Sequence, residues 1–493
     1  MTDAELAERG KWIALALLAS TQFVIVLDAA IVNVAIPSIG DDLKFAQENL
    51  AWIPNAYALT FGGFLLLGGR MADLLGRRRL FMSGLILFVV ASLLGGLSQS
   101  EAQLIGARAL QGLGAALLAP SALSMVTTIF SEGAERNKAL GVWGAVSGSG
   151  GAAGVLLGGI LTEYAGWEWV LWVNVPIGII AALLAPRLLD ESMADHETRH
   201  FDALGAVVVT AGLSLLVFAL VDTVRQGWGS VQTLGLLAIA IALILIFVVI
   251  ELRSLAPLVP FRIFGLRTLS GANIVGLLIG ASLFSMFFLL SRYMQEVLQY
   301  SPLKTGLSYL PLALVIIASA GGASVLVTKL GFKPVLVAGM VLVTIGLLWF
   351  TQLPVDGVYL SDILAPMIIA AAGLGFAFVP VTIAAVSGIS HDDSGLASGL
   401  INASQQIGGA LGLAVLATIA SSTTKELVET AGATGGVAAA KAATRGALTD
   451  GFHDAFLAGA GFAMLGVIAS LVLIRSADSR ALVGANPAQL PMA

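Results

Sequence analysis

The chain has 493 residues, 58% hydrophobic and 11% charged, with a formal net charge of −5 and a mean hydropathy of +0.95. That balance excludes a water-soluble domain of this length, whose surface would need far more charge. It contains no cysteine, which excludes disulfides, thiol nucleophiles and thiolate metal sites.

Apolar runs of roughly 20 residues, each able to cross about 30 Å of hydrocarbon as a helix, recur from Trp12 almost to the C-terminus. In chain order they fall near 12–36, 50–69, 80–98, 102–128, 138–162, 167–187, 203–222 and 231–251. Six more follow near 268–292, 305–328, 334–352, 361–387, 396–420 and 455–475. The first run is full length and lacks a small-residue cleavage site after a short core, so it reads as a span that is its own signal. An even number of spans places both termini on one side. Of the 25 Lys and Arg residues, 17 lie in the loops of that side, seven on the other, and Arg108 lies inside a span, so both termini are expected to be cytoplasmic. The expected fold class is an all-α polytopic protein of the inner or plasma membrane with fourteen transmembrane helices.

The chain also echoes itself. "GLGAALLAPSALSMV" from Gly112 in span 4 is repeated loosely by "GLGFAFVPVTIAAV" from Gly373 in span 12. Two six-span halves separated by a two-span insert produce that interval, as parallel repeats do in large secondary transporters. Chance similarity between two Gly/Ala-rich helices is the alternative. The boundaries drawn are 1–190 for the first six-helix bundle, 191–265 for a cytoplasmic linker and two inserted helices, and 266–493 for the second bundle, with a long outer loop at 421–454. The polar stretch 187–202 marks the junction.

Two ionisable residues lie well inside spans. Asp28 sits nine residues before Pro37 in span 1, and Arg108 seven after Glu101 in span 4. At 1.5 Å per residue these depths are roughly 13 and 10 Å from the outer surface, so the two can face one polar cavity. Each costs on the order of 2.5–3.5 kcal/mol at mid-membrane, which favours a function such as proton carriage over chance, with a static ion pair as the competing reading.

Span 5 carries glycines at 141, 144, 148, 151, 154 and 158, which at 100° per residue fall within about 140° of arc. Such a face suits close helix approach or a hinge. Uncharged polar residues inside spans, Gln22, Asn33, Asn55, Gln111, Asn174, Asn402, Gln405 and Gln406, are candidates for a substrate pathway, Asn273 being another, and interhelical hydrogen bonding is their commoner use. No G-x-x-x-x-G-K-[ST] loop, zinc-ligand spacing or G-x-S-x-G elbow is present. No catalytic residue, metal or cofactor is therefore expected, and the chain is not expected to be an enzyme.

The loop "GGRMADLLGRRRLF", residues 68–81, concentrates four arginines and an aspartate between two apolar runs. Gly69, Asp73, Gly76, Arg77 and Arg78 within it resemble the signature between spans 2 and 3 of the major facilitator superfamily. That resemblance implies that the aspartate and arginines pair with one another and with a neighbouring helix end as a latch. "LDAAIVNVAIP" (Leu27 to Pro37) and "LIGARALQGLGAA" (Leu104 to Ala116) resemble the first-span and fourth-span motifs of drug:proton antiporters, and Asp28 and Arg108 are the matched positions implied in proton coupling. Gly150, Gly154, Gly158 and Gly159 match the antiporter glycine motif, with Val155 where proline is usual. "WEWVLWVNVPIG" (Trp167 to Gly178) resembles the sixth-span motif of the fourteen-span branch, with Glu168 in place of arginine.

Together these imply a major facilitator fold of two six-helix bundles plus two inserted helices. The implied activity is proton-coupled, alternating-access export of hydrophobic, drug-like compounds, and span 10 carries no extra acid that would favour dications. The implied partners are small hydrophobic substrates, protons and the lipid bilayer, with no nucleic acid, acting on a monomer. A dedicated exporter of one metabolite or endogenous antibiotic is the alternative, and a non-transporting receptor or scaffold a more distant one.

Overall fold

The computed structural model describes residues 3–45, 49–50, 52–193, 202–254, 257–431, 437–481 and 483. Among them, fourteen helices are long and apolar enough to cross a membrane. They are α1 (Asp3–Asp42), α2 (Trp52–Leu75), α3 (Arg77–Gly96), α4 (Glu101–Ile129), α5 (Ala134–Tyr164) and α6, which has two pieces, Trp169–Trp172 and Asn174–Leu188. The inserted pair is α7 (Ala203–Gln226) and α8 (Val231–Arg253). The last six are α9 (Arg267–Arg292), α10 (Pro302–Ser308 with Leu310–Leu330), α11 (Phe332–Phe350), α12 (Leu364–Val386), α13 (Ser394–Ala431) and α14 (Val437–Leu473).

Packing partners repeat at an interval of eight helices. In the first group α1 packs on α4, α5 and α6, α2 on α4, and α3 on α4 and α6; in the last group α9 packs on α12, α13 and α14, α10 on α12, and α11 on α12 and α14. Across the two groups α5 packs on α10 and α12, and α13 packs on α2 and α4. The architecture is therefore two like six-helix groups facing each other about a pseudo-twofold axis. The inserted α7 lies against both α2 and α13. Val217 meets Gly62, Ser214 meets Gly63, and Phe218 stacks on Trp52 at 5.6 Å.

The echo between Gly112 and Gly373 falls on equivalent helices, but the glycines do not meet equivalent neighbours in the same order. Gly112 faces Tyr57 and Thr60 of α2, and Gly114 faces Gly84 and Phe88 of α3; Gly373 faces Gly339 and Val343 of α11, and Gly375 faces Ser319 and Ala320 of α10. The glycines thus meet the equivalent partner helices in opposite order in the two halves, and their neighbours give no single alignment of the two segments.

The outer loop expected at 421–454, for which partial helix was one expectation, is helical throughout its described residues. Helix α13 continues to Ala431 and α14 begins at Val437, and residues 432–436 lie outside the described set. Loss of hydropathy marks where the chain leaves the bilayer, yet alanine-rich sequence keeps its helical preference in water. The 38 residues of α13 reach about 57 Å, far beyond the hydrocarbon thickness. In the junction at 187–202, Arg187 and Leu188 belong to α6, and residues 194–201 lie outside the described set.

Candidate functional site

A carboxylate among apolar helices must find donors for both oxygens, or its burial costs several kcal/mol. Asp28, fully buried on α1, finds three. Its Oδ2 accepts from Arg108 Nη1 at 2.6 Å, and its Oδ1 accepts from Gln111 Nε2 and Asn174 Nδ2, each at 2.7 Å. Arg108 also donates from Nη1 to Gln111 Oε1 at 2.6 Å and from Nε to the Ile53 carbonyl at 3.2 Å, and its guanidinium lies 4.5 Å from the centre of the Tyr57 ring. Ser92 on α3 accepts from Gln111 at 2.6 Å and from Asn174 at 3.4 Å. Side chains from α1, α2, α3, α4 and α6 thus meet at one point.

Asp28 and Arg108 do come together, but as a buried ion pair, the competing reading, and not across an open polar cavity. Their exposures are 0% and 1%, so in this conformation water does not reach them. Gln111 and Asn174, placed by sequence among pathway candidates, are instead donors to Asp28. Ser92 and Tyr57 carry no sequence motif; Ser92 is a lone polar group in a long apolar run, which is the signal that points to it, whereas Tyr57 lies between Asn55 and Thr60 and has no such signal.

Helix α5 supplies backbone proximity instead of a polar group. A methyl on Gly154 would lie 2.7 Å from the Leu27 carbonyl oxygen and 2.8 Å from Ala30 Cβ; one on Gly150 would lie 2.9 Å from Val26 Cβ, and one on Gly158 2.7 Å from the Ile31 carbonyl oxygen. These glycines press α5 against α1 on both sides of Asp28. Gly159 is buried as well. The single glycine face expected on this helix is two faces: Gly141, Gly144 and Gly148 point at Ser324, Val379 and Ile316 of α10 and α12, and Gly151 has only distant neighbours. The helical period carries the glycines around the axis from one partner to the other within 18 residues, 141 to 158.

A second charged cluster closes the cytoplasmic end. Asp73 on α2 accepts from Arg77 Nη2 at 2.9 Å and from the backbone amides of Gly395 and Leu396, at 3.0 and 2.9 Å, in the first turn of α13. A buried carboxylate there satisfies two amides that no helical carbonyl can reach and meets the positive end of the helix dipole. Gly69 makes the approach possible, since a methyl on it would lie 2.5 Å from the Gly395 carbonyl oxygen. Gly76 turns the chain with φ of 106°, a region that disfavours side chains. Arg77 N donates to the Ser192 carbonyl at 2.9 Å, and Arg78 donates from N to Glu191 Oε1 and from Nη1 to the Leu189 carbonyl, both at 3.1 Å. The stretch 189–192, which bears no recognisable motif, therefore anchors the arginines. Beside this, the hydroxyls of Ser124 on α4 and Ser394 on α13 lie 2.8 Å apart.

The remaining pathway candidates are dispersed. Gln22 is 7% exposed, donates to Ser147 Oγ at 3.3 Å and leaves Oε1 buried without a partner. Asn33 is exposed and Asn55 half-buried; Asn402, Gln405 and Gln406 are half-buried on α13, with Asn402 bonded to the Ser398 carbonyl. Asn273 accepts from Ser404 at 3.0 Å. Among the described residues, no group of three His, Asp or Glu side chains is placed to hold a metal ion.

The family model of the Major Facilitator Superfamily matches residues 18–413. The chain belongs to the major facilitator superfamily. It is 43% identical over 414 residues to the cephamycin export protein CmcT of Amycolatopsis lactamdurans, covering 83% of this chain and 85% of that protein. It is 36% identical to the puromycin resistance protein of Streptomyces alboniger over 97% of this chain and 95% of that one. The tetracenomycin C resistance and export protein of Streptomyces glaucescens is 33% identical over 84% of this chain and 77% of its own length. Among solved structures, the human organic anion transporter MFSD10 aligns with a TM-score of 0.64 at 15% identity, over 95% of this chain and 100% of that one. The proton:xylose symporter XylE aligns with the same TM-score at 14% identity, over 95% and 96%. As a member of this superfamily the chain is a multi-pass membrane transporter, and its homologues are antibiotic and multidrug exporters, as in the fourteen-span branch.

Removing one member of a buried ion pair strands the other, whereas removing both does not. Arg108→Met should therefore destabilise the detergent-solubilised protein by about 3–5 kcal/mol, and Asp28→Asn combined with Arg108→Met should cost clearly less. Thermal unfolding of the two single variants and the double variant measures this, and strictly additive losses would show that the two charges are energetically independent. At the latch, the cysteine-free sequence allows a clean reporter: Ser124→Cys with Ser394→Cys should cross-link on oxidation, and adding Asp73→Asn should lower the yield. An unchanged yield would mean that the Asp73 cap does not hold the cytoplasmic end together.

Proposed function

We propose that this chain exports hydrophobic, drug-like compounds from the cytoplasm in exchange for protons, by alternating access. The observation that carries the proposal is the Asp28–Arg108 pair, two charges kept in the membrane core at a cost that a purely structural helix bundle avoids. The substrate class is taken from the relatives, which are named for cephamycin, puromycin and tetracenomycin C.

Protonation of Asp28 removes one charge of the 2.6 Å ion pair. Arg108 then keeps Gln111 Oε1, the Ile53 carbonyl and the Tyr57 face, so it is not left without partners. The change falls on the contacts of α1 with α4 and α6. Because α1 meets α5 backbone to backbone at Gly150, Gly154 and Gly158, a shift of α1 moves α5, whose other face rests on α10 and α12.

In the proposed cycle, residues 1–190 rock against 266–493, while 191–265 form the linker and inserted pair. Gly69, Asp73, Gly76, Arg77 and Arg78 latch the cytoplasmic end. Gln22, Asn33, Asn55, Asn402, Gln405 and Gln406 line the route, and Gln111 and Asn174 support Asp28. Asp28 takes its proton from outside and gives it up inside. The chain acts as a monomer without a cofactor and makes no covalent bond to its cargo.

Asp28→Asn should abolish efflux driven by a pH gradient in proteoliposomes while the protein still inserts and purifies. Undiminished gradient-dependent export by that variant would falsify the assignment. Dedicated export of one endogenous antibiotic is the second reading, favoured by relatives that carry a single compound in their names; transport of only one member of a chemically diverse substrate panel would select it.

A further inference from the structure

The pseudo-twofold arrangement creates two equivalent seams between the halves, and they are treated differently. The seam of α2 and α13 lies under the inserted α7, reinforced where Trp228 Nε1 donates to Thr418 Oγ1 at 3.1 Å. The matching seam of α5 and α10 has no inserted helix packed on it, and it holds a cleft of about 710 Å³. That volume is within the roughly 300–1,000 Å³ typical of ligand pockets.

The cleft has two distinct ends. Its floor is made of small, mainly apolar residues: Gly141 rests against the Ser324 side chain, Ala145 continues the trough, and a methyl on Gly321 would meet nothing within 4 Å. Its walls include Val142, Ile317 and Val325, exposed by 39%, 47% and 54%. At the cytoplasmic end Lys138 and Lys329, one from each helix, stand exposed at the rim, with Lys138 Nζ 4.5 Å from the centre of the Trp12 ring. Among the described residues no acid lines the cleft, and Glu135, one turn before Lys138, is engaged by Lys11 at 3.1 Å. Beneath the rim Asn137 Nδ2 donates to Thr328 Oγ1 at 3.1 Å, tying the helices together at the head of the trough.

The geometry points to a binding site for an anionic phospholipid of the cytoplasmic leaflet, its phosphate held between Lys138 and Lys329 and one acyl chain laid along Gly141, Ala145 and Gly321. Charge complementarity selects this occupant: two ammonium groups with no carboxylate partner among the described residues, above a trough that offers a tail a mainly apolar surface, with Ser149, Ser324 and Thr328 as its few polar side chains. The ordinary lipid annulus needs neither concavity nor paired cations. The site lies outside the Asp28 cluster and the latch, so the inference stands apart from the reading of transport.

The test is native mass spectrometry of the full chain in detergent, titrated with phosphatidylglycerol or phosphatidylcholine of matched chains. The wild type should retain one phosphatidylglycerol in preference to phosphatidylcholine. At about fivefold per lysine, Lys138→Ala with Lys329→Ala should weaken phosphatidylglycerol binding by roughly 25-fold. Gly321→Trp, which fills open space without altering charge, should reduce retention of the same lipid. Arg475→Ala with Arg480→Ala, which removes two exposed charges elsewhere on the cytoplasmic side, should leave it unchanged. Wild-type affinity in the lysine variant, equal loss in the arginine control, equal retention of the neutral lipid, or a dimer mass abolished by Gly321→Trp would each overturn the proposal, the last by giving the seam to a second copy of the chain.

Discussion

Charge removed from water and placed among membrane helices is the constraint on which this structure turns. A carboxylate or guanidinium at that depth is tolerable only when each of its polar atoms has a partner, and the partners must come from other helices because a helix consumes its own backbone groups. Asp28 and Arg108 satisfy the rule inside the first six-helix group, drawing α1, α2, α3, α4 and α6 to one point. Asp73 satisfies it across the two groups, using Arg77 from its own loop and the free amides of α13 from the other half. The two clusters therefore answer to different motions: separation of the halves at the cytoplasmic end breaks the second and leaves the first intact.

That difference makes α5 the element through which the two can communicate. Its outer half meets α1 beside Asp28, and its cytoplasmic half meets α10 and α12 of the other group, in both cases with glycine at the contact. Contacts without side chains have no rotamers to absorb a displacement, so a small movement of α1 must be passed on or must open a gap. Glycine costs a helix about 1 kcal/mol relative to alanine in water. Two faces of close approach, each against a different neighbour, account for six of the seven glycines from 141 to 158 better than one hinge does.

Much of this was legible in the sequence. Span number, the meeting of Asp28 with Arg108, and the charged loop in which Asp73 pairs with Arg77 all follow from one-dimensional signals: run length, residue counting and a spaced motif. What was not legible needed more than one helix at a time. Gln111 and Asn174 look like any amide in an apolar run until α4 and α6 are turned toward α1. Ser92 and Tyr57 are invisible for the same reason. The anchors at Leu189, Glu191 and Ser192 act through backbone carbonyls or lie far along the chain from Arg77 and Arg78. The close approach open to the α5 glycines is present, but its division between two partners was not legible, because periodicity gives the direction a residue points, not the neighbour it meets. The helical continuation into 421–431 escaped a criterion built on hydropathy, which reports the solvent around a helix rather than its end.

The inserted pair gains a physical meaning from the repeat. A strict duplication would leave two lateral seams between the halves, both exposed to lipid and both free to part. Here α7 is wedged over α2 and α13, with Ser214 and Val217 seated against Gly63 and Gly62 where larger residues would hold it off. Opening on that side must carry α7 along or peel it away, while the α5 and α10 seam bears no such load. The duplicated core is thereby made unequal: one flank is braced, and the other, lined by the helix that packs beside Asp28, is the side on which the bilayer meets the moving interface directly.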